Sequence, residues 1–237
     1  MGMFDTEKTW HLGRLCSVPQ EQRDAAWREE FFENVIDASL VANEQQVIRG
    51  PDKFPYFALF LPQEAGKIVP FCVSHILEHC TDDGYGIVVS TPGKPQPEWV
   101  FTYGDLWGLR VHGEFRRRVE AEGDGTGTGL NVDRLAPGEK REVLTGSPSF
   151  ELFPSFARDI LRGYFQQTIG VEVPKVTLVD DATREPSQSL VFNVPPERFP
   201  SIEAMHAYYA RLAWFFPPGL SLLANDGGVQ WTFHADL

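Results

Sequence analysis

The sequence WVFTYGDL at residues 99–106 recurs in altered form as WTFHADL at residues 231–237. Both stretches begin with tryptophan and alternate aromatic with other residues, a pattern typical of a strand, so we interpret Trp99 and Trp231 as matching core anchors. A second pair lies upstream, with LPQE at residues 61–64 and VPPE at residues 194–197. Two segments that repeat in the same order predict a chain built from two tandem copies of one fold.

The composition is that of a globular protein, with ordinary apolar and charged fractions. No window approaches the roughly 18 consecutive apolar residues that a membrane span requires. Residues 4–11 mix charged and aromatic side chains, unlike the basic and then apolar layout of a signal peptide. Three cysteines, an odd and sparse set, fit a reducing compartment. We therefore expect a cytoplasmic protein that does not associate with membranes.

The net charge of −12 argues against nucleic-acid binding, because neutralising phosphates requires a basic face. The one dense basic run, at residues 116–118, is surrounded by glutamates and is interpreted as a solvated helix face. An acidic surface suits a binder of basic or amphipathic partners. Many cytoplasmic enzymes are equally acidic, so charge leaves the choice between binding and catalysis open.

In the first half, the apolar residues Trp27, Phe31 and Val35 form one stripe of an amphipathic helix. The predicted elements are a helix at 21–40, strands at 45–48 and 56–61, a helix at 67–81, and strands at 85–90 and 99–103. The order is therefore helix, strand, strand, helix, strand, strand.

The second half repeats this order. Its predicted elements are a helix at 153–165, strands at 176–179 and 190–194, a helix capped by Ser201 that ends near residue 214, and strands at 220–224 and 230–233. Residues 225–228, Asn-Asp-Gly-Gly, predict a hairpin between the last two strands. Because hairpins outnumber helical crossovers, we expect an α+β fold with antiparallel-rich sheets and helices on one face.

The two copies are predicted to span residues 1–120 and 135–237, joined by a glycine-rich linker at residues 121–134. The glycines at 123–129 lack the Lys-Ser/Thr pair of a phosphate-binding loop, which favours the linker. We expect the copies to pack against each other as a pseudo-dimer within a monomer, or the chain to form a homodimer.

His75, Glu78 and His79 match the inverted zinc-protease pattern His-x-x-Glu-His. Histidines four residues apart on a helix can share a metal ion, and the glutamate can activate its bound water. This stretch resembles the zinc-binding helix of the pitrilysin/insulinase family, although the glycine-rich lead-in of that family is absent. The resemblance implies a distant glutamate as third ligand, for which Glu142 and Glu151 are the nearby candidates.

Helical geometry offers a structural interpretation of the same residues. His75, Glu78 and His79 lie beside or opposite the apolar face of the predicted helix, as on any solvated helix flank. Cys72 falls on the edge shared by the two histidines, so a Cys-His-His zinc site is conceivable, but a buried cysteine often serves as a small core residue. His206 occupies the position of His75 in the second copy, which favours a structural role for His75.

Residues 135–140, Leu-Ala-Pro-Gly-Glu-Lys, precede Gly-Ser-Pro at residues 146–148 and a helix. This succession resembles the opening of the C-terminal domain of SseB-like (enhanced serine sensitivity) proteins. Val-Phe-Thr at residues 100–102 is similar to the corresponding part of their N-terminal domain. The resemblance covers residues 85–106 and 135–195. It implies a bacterial, cytoplasmic, two-domain protein with a non-enzymatic or regulatory binding role, and it carries over no site residue.

Three functions remain open on the sequence. The favoured one is a non-enzymatic module that binds another protein or a peptide, without cofactor or catalytic residue. The alternative is a zinc-dependent hydrolase that uses His75, Glu78 and His79, with Cys72 as a further possible ligand. A sensor of small molecules, with its site between the copies, has no residue pattern for or against it.

Overall fold

A computed structural model describes residues 5–62, 70–115, 132–133, 143–182, 187–225 and 230–237. The chain divides into two compact units, residues 1–106 and 107–237. Within the described residues there are six α-helices and two mixed sheets, of five and six strands. Each unit combines helices with one sheet, which confirms the predicted α+β class and its tandem arrangement. None of the described helices is long and apolar enough to cross a membrane.

The first unit contains the elements α1 (Thr6–Ser17), α2 (Ala25–Val35), β1 (Leu40–Arg49), β2 (Pro55–Phe60), β3 (Pro70–Phe71), α3 (Val73–Asp83), β4 (Gly86–Ser90), β5 (Trp99–Phe101) and the start of α4 (Tyr103–His112). The second unit contains β6 (Val132–Asp133), β7 (Leu144–Gly146), α5 (Ser155–Ile169), β8 (Lys175–Asp180), β9 (Gln188–Phe192), α6 (Ile202–Leu212), β10 (Ser221–Leu223) and β11 (Ala235–Asp236).

Short polar side chains fix where several helices begin. The carboxylates of Asp5 and Asp24 accept backbone N–H bonds at the first turns of α1 and α2. Ser201 caps α6 as predicted, since its hydroxyl accepts the N–H of Ala204. Thr102 and Asp105 cap α4 reciprocally, because each side chain accepts the other residue's backbone N–H.

The first sheet has the strand order β3-β1-β2-β4-β5. Strands β2 and β4 are parallel and are joined through α3, while the other pairs are antiparallel. The register places Phe57, Ile87 and Phe101 side by side on one face. Phe31 of α2 stacks 6.4 Å from Phe101, and His79 of α3 lies 6.2 Å from Phe57. Both helices therefore cover the same face.

The second sheet repeats the centre of the first. Its order is β11-β8-β9-β10-β6, with β7 also paired to β8. Strands β8 and β9 are antiparallel, and β9 and β10 are parallel and joined through α6. The order and directions of β8-β9-β10 therefore match those of β1-β2-β4. Each group of three strands follows one helix along the chain, α2 or α5, and has a second helix, α3 or α6, between its last two strands.

The edges of the two sheets differ. In the first sheet, β5 runs antiparallel to β4, whereas in the second sheet β6 runs parallel to β10. The expected hairpin between residues 220–224 and 230–233 is therefore wrong. Strand β10 is already paired with β9 on one side and with β6 on the other. The following strand, β11, instead pairs antiparallel with β8 at the opposite edge of the sheet.

Trp231 and Phe233 consequently lie outside any strand. They pack with Val143 on a buried cluster of Val179, Val191 and Leu223. The neighbouring Phe192 contacts Phe165 of α5 at 5.0 Å, and adjacent strand residues point to opposite faces. Trp231 and Phe233 thus cover the face opposite α5. Trp99 lies within β5 against Phe31 and Phe32, so the two tryptophans do not occupy matching strand positions.

Other boundaries also differ from expectation. Helix α1 was not predicted. The helix that was expected to extend to residue 40 ends at Val35, and β1 begins at Leu40. Pro70–Phe71 forms a strand beside β1 where a helix was expected, since α3 begins only at Val73. Helix α4, at Tyr103–His112, follows the predicted strand at residues 99–103, which ends at Phe101. Residues 116–118 and the predicted linker, apart from β6, lie outside the described residues.

Candidate functional site

The His-x-x-Glu-His motif lies on the outer side of α3. Val73, Ile76 and Cys80 bury the inner side of the helix, while His75, Glu78 and His79 are exposed. His79 Nδ1 lies 2.9 Å from Oδ2 of Asp83, and the His79 ring makes edge contacts with Phe57 and Tyr85. The motif therefore has the arrangement of a solvated helix flank.

Cys72 does not join the two histidines. It is fully buried at the start of α3, where its sulfur lies 3.2 Å from the hydroxyl oxygen of Ser74. Over the ranges that the structure covers, no three His, Cys, Asp or Glu side chains are placed to hold one metal ion. Of the proposed third ligands, Glu142 lies outside the described residues and Glu151 is exposed in the second unit.

A polar junction centred on Asp37 was not foreseen. Its carboxylate accepts hydrogen bonds from Lys8 Nζ at 2.8 Å and from Ser74 Oγ at 2.9 Å. Its backbone carbonyl accepts the N–H of Asp5 at 3.1 Å. The hydrogen bond from Lys8 lowers the pKa of Asp37, that from Ser74 adds to the effect, and partial burial opposes it. The ionised carboxylate thus ties the start of α1 to the start of α3.

This junction lacks the arrangement of a nucleophilic centre. The hydroxyl of Ser74 donates a hydrogen bond to the carboxylate of Asp37, whose charge Lys8 already neutralises. A carboxylate with a lowered pKa is also a weak base. Ser74 also donates its backbone N–H to the carbonyl of Ile36 at 2.9 Å. Its contacts are those of a structural tie between elements.

An open recess of about 300 Å³ lies along α1 beside the end of α2, lined by Asp5, Glu7, Lys8, His11 and Asn34. Asp5 is committed to capping α1 and Lys8 to Asp37. His11 lies 3.3 Å from the carboxylate of Glu30 on α2. The carboxylate of Glu7 is exposed and has no partner among the described residues. The recess is therefore lined by polar and charged residues, and among them Glu7 offers an exposed carboxylate.

Trp10 projects from α1 beside this recess and is 63% exposed. The guanidinium of Arg14, one turn later, lies 5.0 Å from the centre of its ring. Trp27, unlike Trp10, is buried, and it donates its indole N–H to the carbonyl of Leu15 at 2.9 Å. The signal for this surface in the sequence is the helical spacing of Glu7, Trp10 and Arg14, since residues three and four apart on a helix are neighbours.

Arg23 and Glu98 form a buried ion pair, and their side chains are 8% and 2% exposed. Arg23 Nη2 donates to Glu98 at 2.6 Å, and Lys94 and Thr91 donate to the other carboxylate oxygen. Burial alone would raise the pKa of Glu98, but the hydrogen bonds from Lys94, Thr91 and Arg23 outweigh it and hold the pKa below its ordinary value. With every oxygen satisfied and enclosed, the cluster is structural.

Among the described residues of the second unit, four large apolar side chains are exposed, and two of them lie close together in the sequence. Leu144 on β7 is 76% exposed and Phe150, in the following loop, is 70% exposed. The Phe150 ring is supported by the guanidinium of Arg158, at 4.7 Å. Exposed apolar groups that are held in place are typical of contact surfaces.

Comparison with protein-family models, curated proteins and solved structures found no match to this chain.

Proposed function

We propose that the protein is a non-enzymatic module that recognises another protein or a peptide through the outer side of α1 and α2. We name this surface the Trp10 face and define it by Glu7, Trp10, His11 and Arg14 of α1 with Glu30 and Asn34 of α2. The resemblance to SseB-like proteins implies the same kind of binding role, in the cytoplasm of a bacterium.

The exposure of Trp10 is the observation that carries the proposal. An indole is a large apolar group, and tryptophan and arginine are enriched among the residues that dominate binding energy at protein interfaces. Trp10 is 63% exposed while its neighbour Arg14 stacks against it. The ring is thus held in one position before binding, which reduces the entropy lost when a partner covers it.

The helix that presents Trp10 is firmly anchored. Its inner side buries Leu12, Leu15 and Cys16, and its first turn is tied through Lys8 to Asp37. A contact residue on a fixed helix is positioned more accurately than one on a loop. These contacts support the Trp10 face as a preformed surface.

The geometry offers no comparable support for a zinc-dependent hydrolase. His75 and His79 supply two ligands, and a catalytic zinc needs a third protein ligand as well as an open position. The part of the chain that the structure describes places no third ligand beside them.

The proposal is tested by affinity capture from a lysate of the native organism on four immobilised proteins: wild type, Trp10→Ala, Trp10→Phe and Val173→Ala. Val173 is an exposed apolar residue of the second unit, 56% exposed, and serves as the matched control. We expect a partner to be retained by wild type, Trp10→Phe and Val173→Ala and lost from Trp10→Ala. Retention that is indifferent to Trp10→Ala would contradict the proposal.

A further inference from the structure

We propose that the occupant of the Trp10 face is a basic amphipathic peptide segment of a partner protein. Its apolar side chain covers Trp10, and its lysine or arginine side chains meet Glu7 and Glu30. This inference rests on the proposed function of the same face and specifies the chemistry of the partner.

Charge is the first argument. Residues 5–37 carry eight carboxylates and four basic side chains. Lys8 is paired with Asp37 and Arg23 with the buried Glu98, which lies outside this range, so seven of the eight carboxylates and two of the four basic groups remain. The surface of α1 and α2 therefore has an excess of negative charge that complements a basic segment.

The position of the exposed carboxylates is the second argument. Glu7 is exposed without a partner among the described residues, and Glu30 is 55% exposed with His11 at 3.3 Å. Glu7 lines the recess, and Glu30 lies against His11, which also lines it. A side chain that ends in an ammonium or guanidinium group can enter this recess and reach the carboxylate of Glu7 without displacing the ion pair of Lys8 with Asp37.

The order of residues along α1 defines how such a segment would lie. Glu7 precedes Trp10 by three residues, and Arg14 follows it by four. These spacings place all three on one side of the helix, with Trp10 in the middle. Arg14 already contacts the indole and repels cations on that side. A basic group of the partner is therefore directed towards Glu7, while its apolar neighbour rests on the indole.

Apolar and charged contacts contribute differently to affinity. Exposed ion pairs contribute little individually and weaken with salt. We expect removal of both carboxylates to weaken binding about fivefold. Truncation of a central tryptophan costs more, and we expect at least a tenfold loss for Trp10→Ala. Trp10 thus supplies most of the affinity, and the carboxylates select the sign of the partner's charge.

The test uses two fluorescent synthetic peptides of about 18 residues with the same amphipathic helical pattern, one of leucine with lysine and one of leucine with glutamate. Fluorescence polarisation measures their Kd for wild type, Trp10→Ala, the double variant Glu7→Gln/Glu30→Gln, and the double variant Glu151→Gln/Glu197→Gln. The last removes the same charge from exposed sites of the second unit. Circular dichroism confirms that each variant is folded.

We expect the lysine peptide to bind wild type and the second-unit variant equally, and Glu7→Gln/Glu30→Gln and Trp10→Ala more weakly. The glutamate peptide should not bind. Equal weakening by both double variants, tighter binding of the glutamate peptide, or no binding of the lysine peptide would overturn the inference. If Trp10→Ala alone weakens binding of either peptide, the basic partner is excluded while the Trp10 face stands. If Trp10→Ala also retains the captured partner as well as wild type does, the proposed function fails together with this inference.

Discussion

Arg158 is buried beneath Phe150, a side chain that is itself 70% exposed. The guanidinium carbon lies 4.7 Å from the centre of the Phe150 ring and 5.1 Å from that of Phe153. Arg158 also donates to the carbonyls of Phe153 and Pro148, both at 2.8 Å. Burial lowers the pKa of Arg158. The described residues provide no carboxylate for it, so carbonyl dipoles and aromatic faces stabilise this cation.

Replacement of Arg158 by methionine should therefore destabilise the second unit. Methionine retains much of the apolar stem but leaves the carbonyls of Pro148 and Phe153 without their donor, at a cost of about 1–3 kcal/mol. Urea denaturation followed by circular dichroism measures the change. Arg198→Met is the control, because Arg198 is exposed, and should alter stability by less than about 0.5 kcal/mol. Equal effects of the two substitutions would contradict this account of Arg158.

The buried Glu98 should make the stability of the protein depend on pH. Its pKa is lowered in the folded state, so its contribution is complete above the pKa of about 4.3 in the unfolded chain and is lost as the pH falls through the lower, folded value. We expect Glu98→Gln to lower stability at neutral pH by about 3 kcal/mol, since Arg23 loses its buried partner.

The difference between wild type and Glu98→Gln should then shrink as the pH is lowered below the unfolded value. Urea midpoints measured between neutral pH and pH of about 3 follow this convergence. Glu21→Gln, at an exposed position before Arg23, serves as the control and should stay close to wild type at neutral pH. A gap between wild type and Glu98→Gln that is constant at every pH would argue against the proposed linkage.

Two glycine substitutions should act in opposite directions. A Cβ atom on Gly86 would lie 2.6 Å from the carbonyl oxygen of Phe101 and 2.7 Å from ring carbons of Tyr56, so we expect Gly86→Ala to destabilise the first unit by about 2–3 kcal/mol. A Cβ atom on Gly13 meets no atom within 4 Å. Gly13→Ala should stabilise the exposed part of α1 by roughly 0.8–1 kcal/mol. Thermal melting of the two variants tests both predictions, since Gly86→Ala should lower Tm and Gly13→Ala should raise it. Two Tm shifts of the same sign would refute one of the predictions.

All three cysteines should resist thiol reagents in the native protein. Cys16 is 2% exposed, and Cys72 and Cys80 are fully buried. Burial raises the pKa of Cys16 and of Cys80 to about 12, so the reactive thiolate is scarce at both. A coloured disulfide reagent at mildly alkaline pH should react slowly with native protein and rapidly with three thiols in denaturant. One rapidly reacting equivalent in the native state would contradict the burial of these side chains.

Local patterns explain which parts of the fold could be predicted. The stripe of Trp27, Phe31 and Val35 and the cap at Ser201 depend on neighbours along the chain, and both lie in helices as expected. The pairing of Trp231 with Trp99 was misleading, because similar residues can lie in a strand or across a sheet face. Which edge a strand joins depends on residues distant in sequence, here on β6 occupying the free side of β10.

The candidate surface was harder to predict than the fold. Trp10 and Glu7 were visible in the sequence, but burial separates an exposed tryptophan from a core tryptophan such as Trp27, and burial depends on how α1 packs. The same holds for His75 and His79, whose spacing matches a metal motif while their exposure on α3 matches a helix flank. Motifs state which residue types are present, and packing decides which of them meet.

The differing edges of the two sheets have a consequence for the history of the chain. If the halves descend from one ancestral gene segment, the inherited unit is a run of helix, two strands, helix and strand. This run comprises α2, β1, β2, α3 and β4 in the first half, where the short β3 is additional, and α5, β8, β9, α6 and β10 in the second. The outer strands were then acquired or rearranged separately, since the strand beside β4 follows that unit and the strand beside β10 precedes it. Searches for distant relatives should therefore use these five-element runs as queries and leave the flanking strands free to vary.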